Sequence, residues 1–389
     1  MKSYLPFAMT SLVVVCALAQ AGPATADESQ AIVLSKVFDE GNDGAFTPVV
    51  RSVSTSPYVE EGIFTTALGG VHVPEAFRYE PTSHGCGNGH NCGCDPRWTV
   101  RAGALWLHRS APDSAVLVTD SFFPGGTTLL DASDFRFDFA PGFELDVIRH
   151  NVRGSGWDLQ ARFFDVENMN ASTPTVIAPL GAVIQFPVPI GNTGFPNTIT
   201  GSYDSQLLST ELNVRRQAGP EWLTVLAGFR YLRLNEQGLT IFETIGPLTN
   251  LFPYEINTTN DLFGGQLGAE IDLLTQGRLN VSTFGKAGLY GNNISTSAQV
   301  IQASTGNILF SSGGNSTTNA AFVGELGFVG AYRLTDSLSL RTTYQLMWVE
   351  GVALASDQVA VSDVTGGPST IDNSGALYQG FFVGLEYTR

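Results

Sequence analysis

The chain has 389 residues, enough for one large or two ordinary domains, and its 43% hydrophobic content is sufficient to bury a core. Charged residues make up only 14%, while there are 43 Gly, 25 Phe and 11 Tyr, a profile suited to strands that face lipid on one side. The formal charge of −16 excludes nucleic acid as a partner, because phosphate binding requires a basic surface.

Residues 1–26 read as an export signal. Lys2 gives the positive start, 12–19 the apolar stretch, and Ala24-Thr25-Ala26 the small-residue cleavage pattern. Cys16 follows Val13-Val14-Val15 inside the apolar run and is not placed for a lipid anchor. No other uncharged apolar stretch reaches the length of a membrane helix, so the mature chain is either a soluble secreted protein or a barrel. Residues 27–97 lack sustained periodicity, carry turn clusters such as Glu40-Gly41-Asn42-Asp43-Gly44, and read as an irregular periplasmic segment.

Residues 98–389 change character. Ten runs with period-two alternation are predicted as strands: 98–109, 137–150, 156–166, 203–215, 221–234, 261–274, 278–290, 320–333, 337–349 and 377–387. Tight turns at 151–155, 216–220, 275–277 and 334–336 alternate with long connections at 110–136, 167–202, 235–260, 291–319 and 350–376. This is the rhythm of an all-β, transmembrane, antiparallel up-and-down barrel with short periplasmic turns and long outward loops. Ten strands are expected, or twelve if further strands lie within 116–130 or 175–189.

Charges keep to one register within most runs. Phe263, Gly265, Leu267, Ala269, Ile271 and Leu273 oppose Gln266, Glu270 and Asp272, and Leu338, Leu340, Tyr344, Leu346 and Trp348 oppose Arg341 and Gln345. Arg233 and Gln379 break register, both near predicted strand ends. Trp98, Trp157, Trp222, Tyr332 and Tyr387 are assigned to one rim, and Trp106, Trp348, Tyr231 and Tyr290 to the other, as membrane interfaces favour. The long connections hold one basic residue, Arg136, and many acids, among them Asp131, Glu236, Glu255, Asp357 and Asp372. Arg97, Arg149, Arg153, Arg215, Arg216, Arg278 and Arg333 gather at the short-turn end. An anionic outward surface and a basic periplasmic rim follow.

Four segments carry a family likeness: Ala227-Gly228-Phe229-Arg230-Tyr231-Leu232, 260–268, Gly285-Lys286-Ala287-Gly288-Leu289-Tyr290-Gly291-Asn292 and 344–352. Through them the chain from Trp98 to Tyr387 resembles the planctomycete-type outer-membrane β-barrel (porin-like) family. The resemblance implies a barrel in the cell outer membrane and little about chemistry. The row Phe381, Val383, Leu385 and Tyr387 resembles the usual signal for the barrel-assembly machinery, although Thr388 and Arg389 follow where an aromatic residue commonly ends such chains.

His84, Cys86, His90, Cys92 and Cys94 are the sharpest local cluster. They offer ligands for zinc or copper in an uncommon spacing, and in an exported protein a disulfide among Cys86, Cys92 and Cys94 is the default. No Gly-x-Ser-x-Gly elbow is present, and His108 and His150 fall at opposite rims, so no enzyme and no cofactor are expected. Arg162, Glu211, Arg230, Gln266, Glu270, Lys286, Glu325 and Arg341 are the candidate pore-lining residues, within an inward set that also holds Glu144, Asp146, Asp158, Asp272, Arg101 and Arg215. Their near balance of sign suits ion-paired filling, and a ten-stranded interior is narrow. The leading expectation is a narrow channel for small solutes or ions with a cation-favouring mouth. The alternative is a closed structural or surface-binding barrel acting through its outward loops.

Overall fold

The computed structural model describes residues 31–32, 52–53, 96–119, 127–178, 184–185, 189–190, 197–244, 250–312, 314–358 and 371–389. The chain divides into two units, Met1–Arg78 and Tyr79–Arg389. In the first, Ala31–Ile32 pairs antiparallel with Ser52–Val53. The export signal and the Cys/His cluster lie outside the described residues.

The alternating runs of the second unit become ten wall strands: β1 (Trp98–Arg109), β2 (Ala140–Arg149), β3 (Asp158–Ser172), β4 (Asn197–Gln217), β5 (Leu223–Thr244), β6 (Asn250–Gln276), β7 (Leu279–Gln302), β8 (Asn315–Arg333), β9 (Leu338–Val352) and β10 (Ser374–Thr388). Each pairs antiparallel with its neighbour in sequence, and β10 returns to β1 from Tyr378↔Arg109 to Thr388↔Thr99, closing the barrel. Closure leaves no free edge in the wall, the condition a β-structure must meet inside hydrocarbon. At the seam the backbone amides of Arg97 and Trp98 donate to the Arg389 carbonyl at 2.6 and 2.8 Å. No described helix is long and apolar enough to cross a membrane.

Side-chain direction follows the pleat. Phe143, Leu145, Leu212, Phe229, Phe263, Leu267, Leu289, Phe328, Val383 and Leu385 are exposed on the outer face, where lipid covers them. The register breakers also face outward. Arg233 pairs with Asp261 at 2.7 Å, and the Tyr344 hydroxyl donates to Gln379 at 3.2 Å, so each polar group has a partner on the outer face. Trp98, Trp157 and Trp222 are exposed at the end that carries the short turns, and Gly277, in one of those turns, has a φ of +59° that favours glycine.

Three expectations change. First, 235–260 and 291–319 are not mainly loop: β5, β6 and β7 continue through them, leaving only 245–249 between β5 and β6. Above the membrane the outer face has no reason to be apolar, so Asn257, Thr259, Asn293, Ser295 and Ser297 replace Leu and Phe there. The inner register persists unbroken in Ile256, Ile294, Ala298 and Val300. Second, the strands in 116–130 and 175–189 exist but add nothing to the wall. Val116–Thr119 and Thr128–Asp131 join Ile184–Gln185 and Pro189–Ile190 in a separate four-stranded sheet, and Val176–Ala178 pairs with β4. Third, Tyr290 is buried inside the barrel instead of joining the outer aromatic belt, its ring lying where a Cβ on Gly264 or Gly288 would stand.

Candidate functional site

The interior has two layers. In the periplasmic half, inward positions of all ten wall strands carry ionised side chains that face one another across the interior. Arg162 on β3 is the centre. Its Nη1 meets Glu325 of β8 at 2.6 Å and Glu211 of β4 at 3.2 Å, and its Nη2 meets Glu144 of β2 at 2.8 Å. The same Nη2 donates to Gln345 Oε1 of β9 at 3.0 Å. Arg230 Nη1 reaches Glu325 at 2.9 Å, and Lys286 Nζ lies 3.0 Å from Glu211 and 3.3 Å from Glu325. Gln266 donates to Glu211 at 2.7 Å. Contacts between β3 and β8 cross the axis, so the network spans the lumen as well as lining it.

Nearer the periplasm, Arg101 pairs with Asp146 at 3.0 Å and Glu386 at 2.7 Å, Arg341 with Glu386 at 3.1 Å, and Arg215 with Glu270 at 2.5 Å. A cavity of about 50 Å³ remains among Arg101, Glu144, Asp146, Glu270, Lys286 and Arg341, room for very few waters. The paired interior holds six acids (Glu144, Asp146, Glu211, Glu270, Glu325, Glu386) and six bases (Arg101, Arg162, Arg215, Arg230, Lys286, Arg341). All eight candidates from the sequence, Gln266 included, are therefore brought together. Two others of the expected inward set are not: Asp272 is exposed near the periplasmic end of β6, and Asp158 pairs with His150 at the rim.

The outward half of the interior is apolar. Leu105, Leu107, Phe164, Val166, Leu232, Leu262, Val323, Met347 and Phe382 are all buried there. Above them sits a second polar cluster that the sequence reading missed. Glu236, expected among the outward loop acids, is buried; it pairs with Arg109 at 2.7 Å, and it accepts hydrogen bonds from the Tyr203 hydroxyl at 2.5 Å and the Ala355 amide at 3.1 Å. The Arg109 guanidinium stacks on Phe137 and Tyr203, 4.7 and 5.0 Å from their ring centres. Asn260 grips the Ala353 peptide at both ends, donating to its carbonyl and accepting from its amide, each at 2.8 Å. Asn292 donates to the Gly351 carbonyl at 3.0 Å. The connection after β9 is thus drawn into the mouth, with Ala353, Leu354, Ala355 and Ser356 all buried. From the other side the β1–β2 connection brings Phe135 and Phe137 edge-on to Tyr203 at 5.4 and 5.5 Å. The clue available in sequence was inward parity: Glu236 follows Arg230, Leu232 and Leu234 at steps of two.

That β1–β2 connection is itself fixed by Asp131, which caps the 3-10 turn Ala132–Asp134 through Ser133 and accepts from Ser114 at 2.9 Å. Partial burial works to raise its pKa, but hydrogen bonds from Ser133 and Ser114 outweigh it and hold the carboxyl below the usual range. At the periplasmic rim, Asp158 and Thr99 flank His150 at 2.9 Å from its Nδ1 and Nε2. This is the spatial order of a hydrolytic triad, but Thr99 is 5% exposed and lies in the β1–β10 seam, 3.2 Å from the Thr388 hydroxyl. An acyl group cannot reach it, and the relay acts as a strut. Among the described residues no group of three or more His, Cys, Asp or Glu is placed to hold a metal ion.

Comparison with known proteins gives a family. No curated protein matches the chain significantly. Solved structures similar to it include the outer-membrane protease OmpT of Escherichia coli (10% identity, 75% of this chain and 96% of that one, TM-score 0.36), the toluene transporter TodX of Pseudomonas putida (10%, 76% and 92%, 0.20) and an anion-selective porin of Comamonas acidovorans (8%, 75% and 98%, 0.15). At these scores the likenesses carry no inference. The profile described as "Putative beta barrel porin-7 (BBP7)" matches residues 151–371, more than half of the sequence, and the chain belongs to that family of porin-like outer-membrane β-barrels.

Proposed function

We propose that this protein works as a closed outer-membrane barrel, acting through what it presents outside the cell. The observation that carries this reading is the cross-lumen network centred on Arg162, Glu211 and Glu325, stacked beneath an apolar layer and a mouth held shut by Arg109, Glu236, Asn260 and Asn292. A solute moving along the axis would have to break ion pairs in a low-dielectric interior, where an unpaired charge is costly.

The surface left for function is the outer face of the strands that rise above the membrane. There Glu255 accepts hydrogen bonds from Gln237, Asn257 and Gln299 at 2.5, 3.1 and 3.1 Å, which holds three neighbouring strands in one polar plane. Such a plane suits contact with another envelope component. The narrow, cation-favouring channel expected from the acidic outward connections is the competing reading, and its anionic mouth is weakened by the pairing of Glu236 with Arg109. Planar-bilayer recording decides between them. Folded full-length protein is expected to add no steady conductance; a steady, cation-selective conductance would reject the closed barrel.

A further inference from the structure

The described arginines of the barrel wall and its short turns differ in their partners. Those inside the barrel all have carboxylate partners, as does Arg233 on the outer face. Among the described residues, Arg97, Arg149, Arg153, Arg216, Arg278 and Arg333, all at the short-turn end, have no carboxylate within 4.0 Å. The acids at that end, Asp158, Glu221, Asp272 and Asp336, form no ion pair with them; Asp158 is engaged with His150. In a chain of net charge −16, this is a local inversion of sign.

The unpaired arginines are not spread evenly, for one sector is ordered by aromatic rings. Trp98 on β1 stands opposite Arg149 on β2, whose guanidinium lies 4.8 Å from the Trp98 ring centre. Trp157, just before β3, holds Arg216 of β4 at 5.1 Å. The exposed Arg153 lies in the turn between β2 and β3. Four adjacent strands therefore present Trp, Arg, Trp and Arg in succession, and Trp98 and Trp157 remain 47% and 41% exposed. Arg149 Nη1 donates to the Arg97 carbonyl at 3.2 Å, and among the described residues no anion pairs with either guanidinium, which leaves N–H groups of both free for an outside acceptor. At the level where Trp rings meet the membrane–water interface, the anion available is a lipid phosphate.

We infer that the Trp98–Arg149–Trp157–Arg216 sector is a binding site for the headgroups of anionic glycerophospholipids in the periplasm-facing leaflet. Indole rings set the depth of the barrel in the bilayer, and the guanidinium edges select lipids that carry net negative charge. At the outward end no described arginine is set against a tryptophan: Arg136 is exposed in the β1–β2 connection, and Arg233 on the outer face is already paired with Asp261, so the site also gives the two leaflets different lipid neighbours around the same barrel.

The test uses the full chain refolded into phosphatidylcholine vesicles, with Trp106, Trp222 and Trp348 replaced by Phe so that Trp98 and Trp157 report. Quenching by brominated phosphatidylglycerol is compared with quenching by brominated phosphatidylcholine at equal mole fraction. An enrichment of phosphatidylglycerol of about fivefold is expected, the effect of one arginine near an anionic surface. It should fall to unity in R149Q/R216Q, survive in R278Q/R333Q, and decline as salt rises from roughly 0.05 to 1 M. Equal quenching by both lipids overturns the inference, as does a preference that persists in R149Q/R216Q. If that variant does not fold, salt dependence decides: a preference unchanged in high salt overturns the inference. Replacing chloride by inorganic phosphate at the same ionic strength should leave the enrichment intact; its loss would reassign the site to free phosphate.

Discussion

Glu211→Gln is the sharpest probe of whether the lumen is sealed. Glu211 is fully buried, and its two oxygens face Lys286 at 3.0 Å, Arg162 at 3.2 Å, Gln266 at 2.7 Å and Asn213 at 3.1 Å. The substitution keeps the shape and removes one of six negative charges. Lys286, Arg162 and Arg230 are then left to share Glu325, with Glu144 available only to Arg162. Breaking a buried ion pair by removing one partner costs about 3–5 kcal/mol. In a water-filled channel the same pairs would behave like surface pairs, worth about 0–1 kcal/mol. Guanidinium unfolding of the vesicle-embedded protein, followed by tryptophan emission, measures the difference. A loss below about 1 kcal/mol would refute the dry network and, with it, the argument for a closed axis. Adding Lys286→Met to Glu211→Gln should recover part of the loss, because it removes a stranded cation; the interaction term of that double-mutant cycle checks the pairing directly.

Glu236→Ala removes the acceptor shared by Arg109, Tyr203 and the Ala355 amide, so the 353–358 strap should become a site of limited proteolysis from outside while the wall strands stay protected. Carbon-13 titration of Asp131 should give a midpoint below that of an ordinary aspartate. The sign follows from the depressed pKa: its capping stabilisation is complete at neutral pH and is lost only as pH falls through that lowered midpoint, whereas an ordinary midpoint would refute the cap. Asp158→Ala should cost about 1.5–3 kcal/mol by removing hydrogen bonds to a charged acceptor that joins β3 to His150 and the Asn151 amide; an unchanged unfolding midpoint would show the relay to be ornamental.

What could be read from sequence depended on which physical constraint acted at each position. Inside the membrane both faces are constrained, so β1 was bounded correctly at Trp98 and Arg109, and all eight candidate interior residues fell on the inward register. Above the membrane only the inner face is constrained. The stretch Asn257-Thr258-Thr259-Asn260 then looks like loop, although Thr258 and Asn260 are buried on a continuous strand. Glu236 was misplaced for the same reason: Arg233 broke the pattern just before it, and the partner that neutralises it, Arg109, lies 127 residues earlier, at the top of a different strand. The grip of Asn260 on Ala353 joins residues 93 apart through a backbone peptide and leaves no trace in composition or period.

The unequal height of the wall has a consequence for access. β6, with 27 residues, amounts to about 90 Å of strand, whereas β1, with 12, amounts to about 40 Å. The barrel therefore ends outward in a slanted rim, with a tall parapet built from β4 to β7 and a low sill at β1, β2, β9 and β10. Connections rooted on the sill lean against the inner side of the parapet, as Ala353 does against Asn260. The polar plane around Glu255 faces sideways along the membrane, where a neighbour anchored in the same envelope has the shorter path to it.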